Sequence, residues 1–353
     1  MTKVSFPLMG DYSVPAYFLL KNVLDVDIVL PPKITSKTIS IGSKYSPEFV
    51  CTPFKYTLGT MIESIEKGAD TLIQFGGGCR YGYYAELQGQ IIKDLGYDVR
   101  VFNFIIEGRF NFRRIYKILK EINPKVKLYR LLYYGFVTLK MVKYMDHVDE
   151  YIRNNIGFEV NEGSFESLKY MMLDEFSKVK NYRRLRKIYK KYIKEFLGIL
   201  VRKPDKPIRV GIIGELYTIM EPFSNYFLEK ELAKNHIEIK RFTNVWYLLI
   251  EKKYKIRKYL KDSKKYIKYQ LGADGADNVA RARYLCENDF DGIIHIKSSF
   301  CTPEIGAMPI INRVCDDYNV PVIFFSFDAM TSEEGIRTRL EAFYDMLEMR
   351  KNK

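Results

Sequence analysis

An α/β fold with two parallel-sheet halves is what this chain predicts, and three observations carry that expectation. Short β-rich runs alternate with longer helical patterns, as in parallel sheets whose crossovers are helices. The alternation occurs twice, once up to about residue 108 and again from about residue 204. The stretch between is helical in period, rich in Lys, Tyr and Leu, with little β signal. At 353 residues the chain is long enough for two domains with a core in each. The expected division is therefore 1–108, 109–203 and 204–353.

Taken in order, the expected strands of the first domain are residues 4–8, 27–30, 71–75 and 99–104. In the middle segment, Leu185, Ile188, Tyr189, Tyr192, Ile193, Phe196 and Leu197 recur at helical spacing with Lys and Arg opposite, which reads as a solvated amphipathic helix. Residues 203–207, Lys-Pro-Asp-Lys-Pro, read as a linker into the second domain. There the expected strands are 209–213, 237–242, 292–296 and 322–327.

Chemistry is concentrated in the cysteines. Cys51-Thr52-Pro53 and Cys301-Thr302-Pro303 share one order, expected where a helix starts with Thr as its N-cap and Pro at the first helical position. A thiol held there faces open backbone N–H groups and the positive end of the helix dipole, which favour the thiolate. Cys79 closes the run Gly76-Gly77-Gly78-Cys79-Arg80 after the third expected strand. Cys79 and Cys301 thus fall at the carboxyl ends of parallel strands, where open α/β sheets place their ligand sites. If the two domains face one another across a cleft, all three thiols can converge there. Cys286 and Cys315 read as small apolar filler. A zinc site completed by His295 also suits a Cys/His inventory, although the closely spaced cysteine pairs usual in structural zinc sites are absent.

The glycine run is not a phosphate-binding loop, because no Gly-Lys-Ser/Thr follows it. Gly211 and Gly214, three apart after a strand, fit a nucleotide-binding turn or close packing of strand on helix. Glu86, Glu215, Glu221 and Glu304 lie near the expected cleft and are candidates for moving protons.

Composition sets the outer bounds. Apolar residues make up 47% and charged residues 28%, a globular balance rather than a disordered one. The N-terminus lacks a signal-peptide pattern, and no run approaches the roughly 18 apolar residues of a membrane helix. A cytoplasmic protein is expected, in which five cysteines serve as thiols or metal ligands rather than disulfides. The net charge of +14 is concentrated in residues 178–203 and 252–268. It leaves open an acidic partner or a metal-free nucleotide or nucleic-acid binder.

Read together, the segments resemble the 2-hydroxyacyl-CoA dehydratase D-component family, especially its acyl-CoA dehydratase activase-related (CoA protein activase) branch. The resemblance is carried by Lys44-Tyr45-Ser46-Pro47-Glu48-Phe49-Val50-Cys51-Thr52-Pro53, Gly77-Gly78-Cys79-Arg80-Tyr81-Gly82-Tyr83-Tyr84-Ala85-Glu86 and Gly211-Ile212-Ile213-Gly214-Glu215. It continues through Asp291-Gly292-Ile293-Ile294-His295, Phe300-Cys301-Thr302-Pro303-Glu304 and Ser326-Phe327-Asp328. It implies two Rossmann-like domains clasping a 4Fe–4S cluster on Cys51, Cys79 and Cys301. Gly77, Gly78, Arg80 and Ser299 would lie about that cofactor, and Glu86 and Glu304 would be the acid–base candidates. An ATP-hydrolysing iron–sulfur activator would supply low-potential electrons for reduction or dehydration of an acyl-CoA or other small substrate. Relatives often carry Cys-x-x-Cys-Arg where this chain has Gly76-Gly77-Gly78-Cys79-Arg80, so a larger cluster is not implied. A homodimer, and a cluster-bearing electron-transfer scaffold with no substrate of its own, fit the same pattern; nucleic acid is not implied by it.

Overall fold

The computed structural model describes residues 2–106 and 109–352. The chain divides into two compact units, Met1–Met141 and Val142–Lys353. The expected boundary at 108 lies outside the described residues, and the helices expected between 109 and 203 are shared between the units. Each unit holds a four-stranded, all-parallel sheet.

The first unit runs β1 (Lys3–Ser5), α1 (Ser13–Leu24), β2 (Asp27–Ile28), α2 (Ser36–Tyr45), α3 (Thr52–Glu66), β3 (Thr71–Gln74), α4 (Tyr84–Asp94) and β4 (Arg100–Asn103). A short antiparallel pair follows, β5 (Ile105–Ile106) and β6 (Arg109–Phe110), and then α5 (Phe112–Ile122). The sheet order is β2-β1-β3-β4. Ile73 packs with Leu20, Val23, Ile115 and Leu119 on one face, whereas its neighbour Leu72 packs with Phe54, Leu58 and Ile92 on the other. Helices therefore cover both faces, and all four residues of β3 are buried, with Leu72 and Ile73 facing opposite cores.

Helix α6 (Leu128–Asn155) spans the division between the units. The second unit continues with α7 (Ser164–Ser177), α8 (Tyr182–Leu197), β7 (Ile208–Gly214), α9 (Leu216–Met220), α10 (Leu228–Lys234) and β8 (Ile237–Arg241). It closes with α11 (Lys252–Asp262), α12 (Gly275–Glu287), β9 (Gly292–Ser298), α13 (Thr302–Asp317), β10 (Val322–Phe327) and α14 (Glu333–Lys351). The order is β10-β9-β7-β8. In each sheet the first strand has the second on one side and the third and fourth on the other, so the two share one topology.

All eight expected strands are present; the β5–β6 pair was not foreseen. Helix α8 buries Leu185, Ile188, Tyr192 and Phe196 as its period requires, but Leu197 at its end is 61% exposed. Residues 203–207 lie inside the second unit and are tied down, since Lys203 pairs with Glu238 at 2.6 Å and donates to the Asn154 carbonyl. The glycines of β7 follow from packing. A Cβ at Gly211 would overlap Leu285 of α12, and Gly214, at φ +135°, has the Ile296 carbonyl where its Cβ would stand. Among the described residues no helix is long and apolar enough to cross a membrane.

Candidate functional sites

In a parallel sheet the crossover helices run back against the strands. Helix N-termini and strand C-termini therefore share one edge, and ligands collect where the strand order reverses. That reversal lies between β1 and β3 in the first unit and between β7 and β9 in the second. Cys79 follows β3 and Cys301 follows β9, which puts each in the corresponding loop of its own sheet. Cys51 opens α3, the helix that leads into β3. No disulfide joins any of the five cysteines.

The helix starts differ from the expectation by one residue. Thr52 and Thr302 are already helical, Pro53 and Pro303 stand in the first turn, and Cys51 and Cys301 are themselves the N-cap residues. Their extended backbone lets the thiol-bearing residue end the incoming loop while its carbonyl accepts the first helical bond, Phe54 N–H to Cys51 at 3.0 Å and Ile305 N–H to Cys301 at 2.9 Å.

The first unit builds an aromatic setting. Cys51 is buried and its sulfur meets the Tyr84 hydroxyl. Tyr84 is 3% exposed and packs edge-on against Phe54 at 4.9 Å and tilted against Tyr81 at 4.5 Å. Burial, reinforced by the thiols of Cys51 and Cys79, holds its hydroxyl pKa well above the usual value. Cys79 accepts a weak bond from the Tyr81 amide at 3.5 Å. Tyr84 therefore lies beside both thiols of this unit. Asn103 ties the loop down through the Gly82 carbonyl at 2.8 Å and reaches Glu86 at 3.3 Å. Glu86 and Arg80 are exposed. Of the glycine run, only Gly76 is pressed against backbone, since a Cβ there would lie 1.8 Å from the Ile105 carbonyl oxygen. Gly78, next to Cys79, faces open space.

The second unit builds a charged, buried setting. Glu304, in the first turn of α13, is 1% exposed and takes bonds from His295 Nε2 at 2.8 Å and Asn278 Nδ2 at 2.9 Å. Asn278 also reaches the Gly214 carbonyl at 3.0 Å and receives a bond from the buried Arg281. Glu215 caps α9 by accepting from the Tyr217 and Thr218 amides, both at 2.9 Å. Burial, with the nearby Glu304 charge, raises its pKa. Lys297, on the same face of β9 as His295, is buried with no hydrogen bond or ion pair among the described residues. Burial lowers its pKa, opposed by Cys301 and Glu304. Ser299 donates to Asp328 at 3.1 Å, which anchors the loop before Cys301. Glu221 is buried and caps the turn at Phe223.

Cys315 is 1% exposed in the core formed by Ile311 and Val314, and Cys286 packs against it. The Cys286 thiol, together with burial, pushes the Cys315 pKa up. Among the described residues no group of three or more His, Cys, Asp or Glu side chains is gathered as for a metal ion. His295, the expected completion of a zinc site, has its Nε2 engaged by Glu304, and its buried Nδ1 has no partner.

Sequence reasoning missed Tyr84 and Lys297. Tyr84 stands in a segment that carries the family resemblance, but nothing in the pattern singled it out from the tyrosines beside it. Lys297 could have been found, because His295 and Lys297 are polar intruders at alternate positions of an otherwise apolar central strand.

Residues 251–347 match the family model of the 2-hydroxyglutaryl-CoA dehydratase D-component, which supports the family resemblance read from the sequence. The match runs from the start of α11 into α14 and includes Lys297, Cys301 and Glu304. No curated protein matches the chain.

Proposed function

We propose that this chain is an iron–sulfur component of the 2-hydroxyacyl-CoA dehydratase type. Its two units are Rossmann-like domains facing a cleft, and Cys51, Cys79 and Cys301 together hold a 4Fe–4S cluster. The observation that carries this reading is the D-component family match across the segment containing Cys301. Two further features support it. Cys79 and Cys301 occupy corresponding loops of two sheets with one topology, and both Cys51 and Cys301 cap helices whose open N–H groups favour thiolate, the donor iron–sulfur clusters take.

The residues present fit such a group: thiols outside disulfides, open space at Gly78 beside Cys79, and near Cys301 the largely buried Lys297, with no hydrogen bond or ion pair among the described residues. When bound, the cluster would supply low-potential electrons received from an ATP-dependent activator. The chain's own part would be to exclude water with Tyr81, Tyr84 and Phe54, with Glu304, held by His295 and Asn278, as an acid–base candidate. The exposed Glu86 and Arg80 would meet a small or CoA-linked substrate.

Anaerobic reconstitution tests the reading. About four irons per chain and a brown colour are expected, each lost in Cys51→Ser, Cys79→Ser and Cys301→Ser. Colourless protein, or stoichiometric zinc in its place, would overturn it. Turnover of acyl-CoA compounds with activator and ATP separates an enzyme from an electron-transfer scaffold.

A further inference from the structure

Lys297 has no task in the fold. It stands on the central strand β9, one residue past the last pairing with β7, which joins Gly214 to Ile296. It is 4% exposed, yet its ammonium makes no hydrogen bond and no ion pair among the described residues. The obvious internal partner is already engaged, because both oxygens of Glu304 are taken by Asn278 and His295. The ammonium itself keeps some contact with solvent, but burial of the rest of the side chain strips part of its hydration and no ion pair replaces it, which is unfavourable. By contrast Lys252, another partly buried lysine of this unit, sits between Asp274 and Asp277. Three residues separate β9 from α13, and the Cys301 amide folds back to the Ser298 carbonyl at 3.0 Å. Lys297 and Cys301 thus belong to one tight strand-to-helix corner.

We infer that Lys297 is the counter-charge for a negatively charged group bound at Cys301, namely the thiolate-ligated cluster. It acts as a positioning residue that raises the cluster's reduction potential and slows its loss. The inference rests on the cluster reading given above. A cluster bound by three thiolates is anionic and gains a further negative charge on reduction. An ammonium fixed at this corner, partly withdrawn from solvent, favours the reduced form and holds both forms in place.

The test uses the full-length chain in apo and reconstituted forms, with Lys297→Met and Lys297→Arg. In the apo protein, Lys297→Met should raise the melting temperature, because it removes a charge that has no partner. In the reconstituted protein the same variant should shift the potential to more negative values and weaken cluster retention roughly tenfold to a hundredfold. Lys297→Arg should recover most of both. A lower melting temperature for apo Lys297→Met would mean that the ammonium already has a partner in the fold, and the inference falls. Unchanged potential and retention in Lys297→Met would also overturn it, while leaving the cluster reading intact. If the wild-type chain takes up no cluster, the cluster reading itself fails and this inference falls with it.

Discussion

The two units share a sheet topology and carry a cysteine in the same loop, yet they surround that cysteine with opposite chemistry. Around Cys51 and Cys79 the buried polar groups that bond one another are mostly neutral, although Lys55 and Glu63 of α3 are buried too. Gln74 Nε2 donates to Gln88 Oε1 at 2.8 Å, Gln88 reaches Thr57 at 2.7 Å, and a tyrosine hydroxyl meets the Cys51 sulfur. Near Cys301 the buried groups are ionisable: Glu215, Glu304, His295, Lys297 and Arg281, none more than 9% exposed. One topology therefore fixes where the cysteine-bearing loop emerges and leaves its electrostatics to the side chains. An amide network is satisfied at any pH. A network that includes buried acids and bases can respond to protons and to added charge, as the raised pKa of the Glu215 carboxyl and the lowered pKa of the Lys297 ammonium indicate.

The largest effect that would sharpen this contrast is Gly214→Ala. At φ +135° and with the Ile296 carbonyl oxygen in the place of a Cβ, alanine should cost about 3 kcal/mol or more. Trp246, the single tryptophan, lies in the second unit, so its fluorescence during urea unfolding reports that unit. Its midpoint should fall sharply. A midpoint within error of wild type would mean that the strand end rearranges without strain.

Glu304→Ala should come next. It leaves His295 Nε2 and Asn278 Nδ2 without their shared acceptor, at a cost of about 3 kcal/mol. Trp246 should follow this loss. Gln88→Ala in the first unit removes only neutral bonds, about 1 to 2 kcal/mol, and should leave the Trp246 transition in place. Equal losses from the two variants would break the proposed difference between the networks.

The smallest effect is a pH slope. Burial raises the Glu215 carboxyl above its usual value, so the folded state binds its proton at higher pH than the unfolded chain does. The resulting contribution is complete below the unfolded value of about 4.3, and it is lost as pH rises through the raised folded value. Glu215→Gln lacks this slope. Measured by urea midpoint, the variant should gain on wild type as pH climbs through that window. A constant difference would place the pH response elsewhere.

Much of the fold was legible because its signals are local. Eight short β runs at helix-length spacing leave few arrangements other than parallel sheets, and the amphipathic face of α8 follows from its period. The Cys-Thr-Pro order announced two helix starts but not which residue caps them. Thr is the better side-chain acceptor, yet the turn places the cysteine at the extended position and draws threonine into the helix. Gly211 and Gly214 looked equally suited to a nucleotide, and only the approach of Leu285 and Ile296 explains them by packing.

By itself the sequence determined which thiols stand in loops at strand ends and which, such as Cys315, are core filler, since neighbouring glycine, proline and apolar periodicity reveal both. Tertiary structure alone decided that Tyr84 meets Cys51 across 33 residues and that Glu304 is already committed to His295 and Asn278. It also left Lys297 buried without a partner. Hydrogen bonds and desolvation depend on which groups come together in space, and chain-local pattern carries no information on pairings made between distant segments.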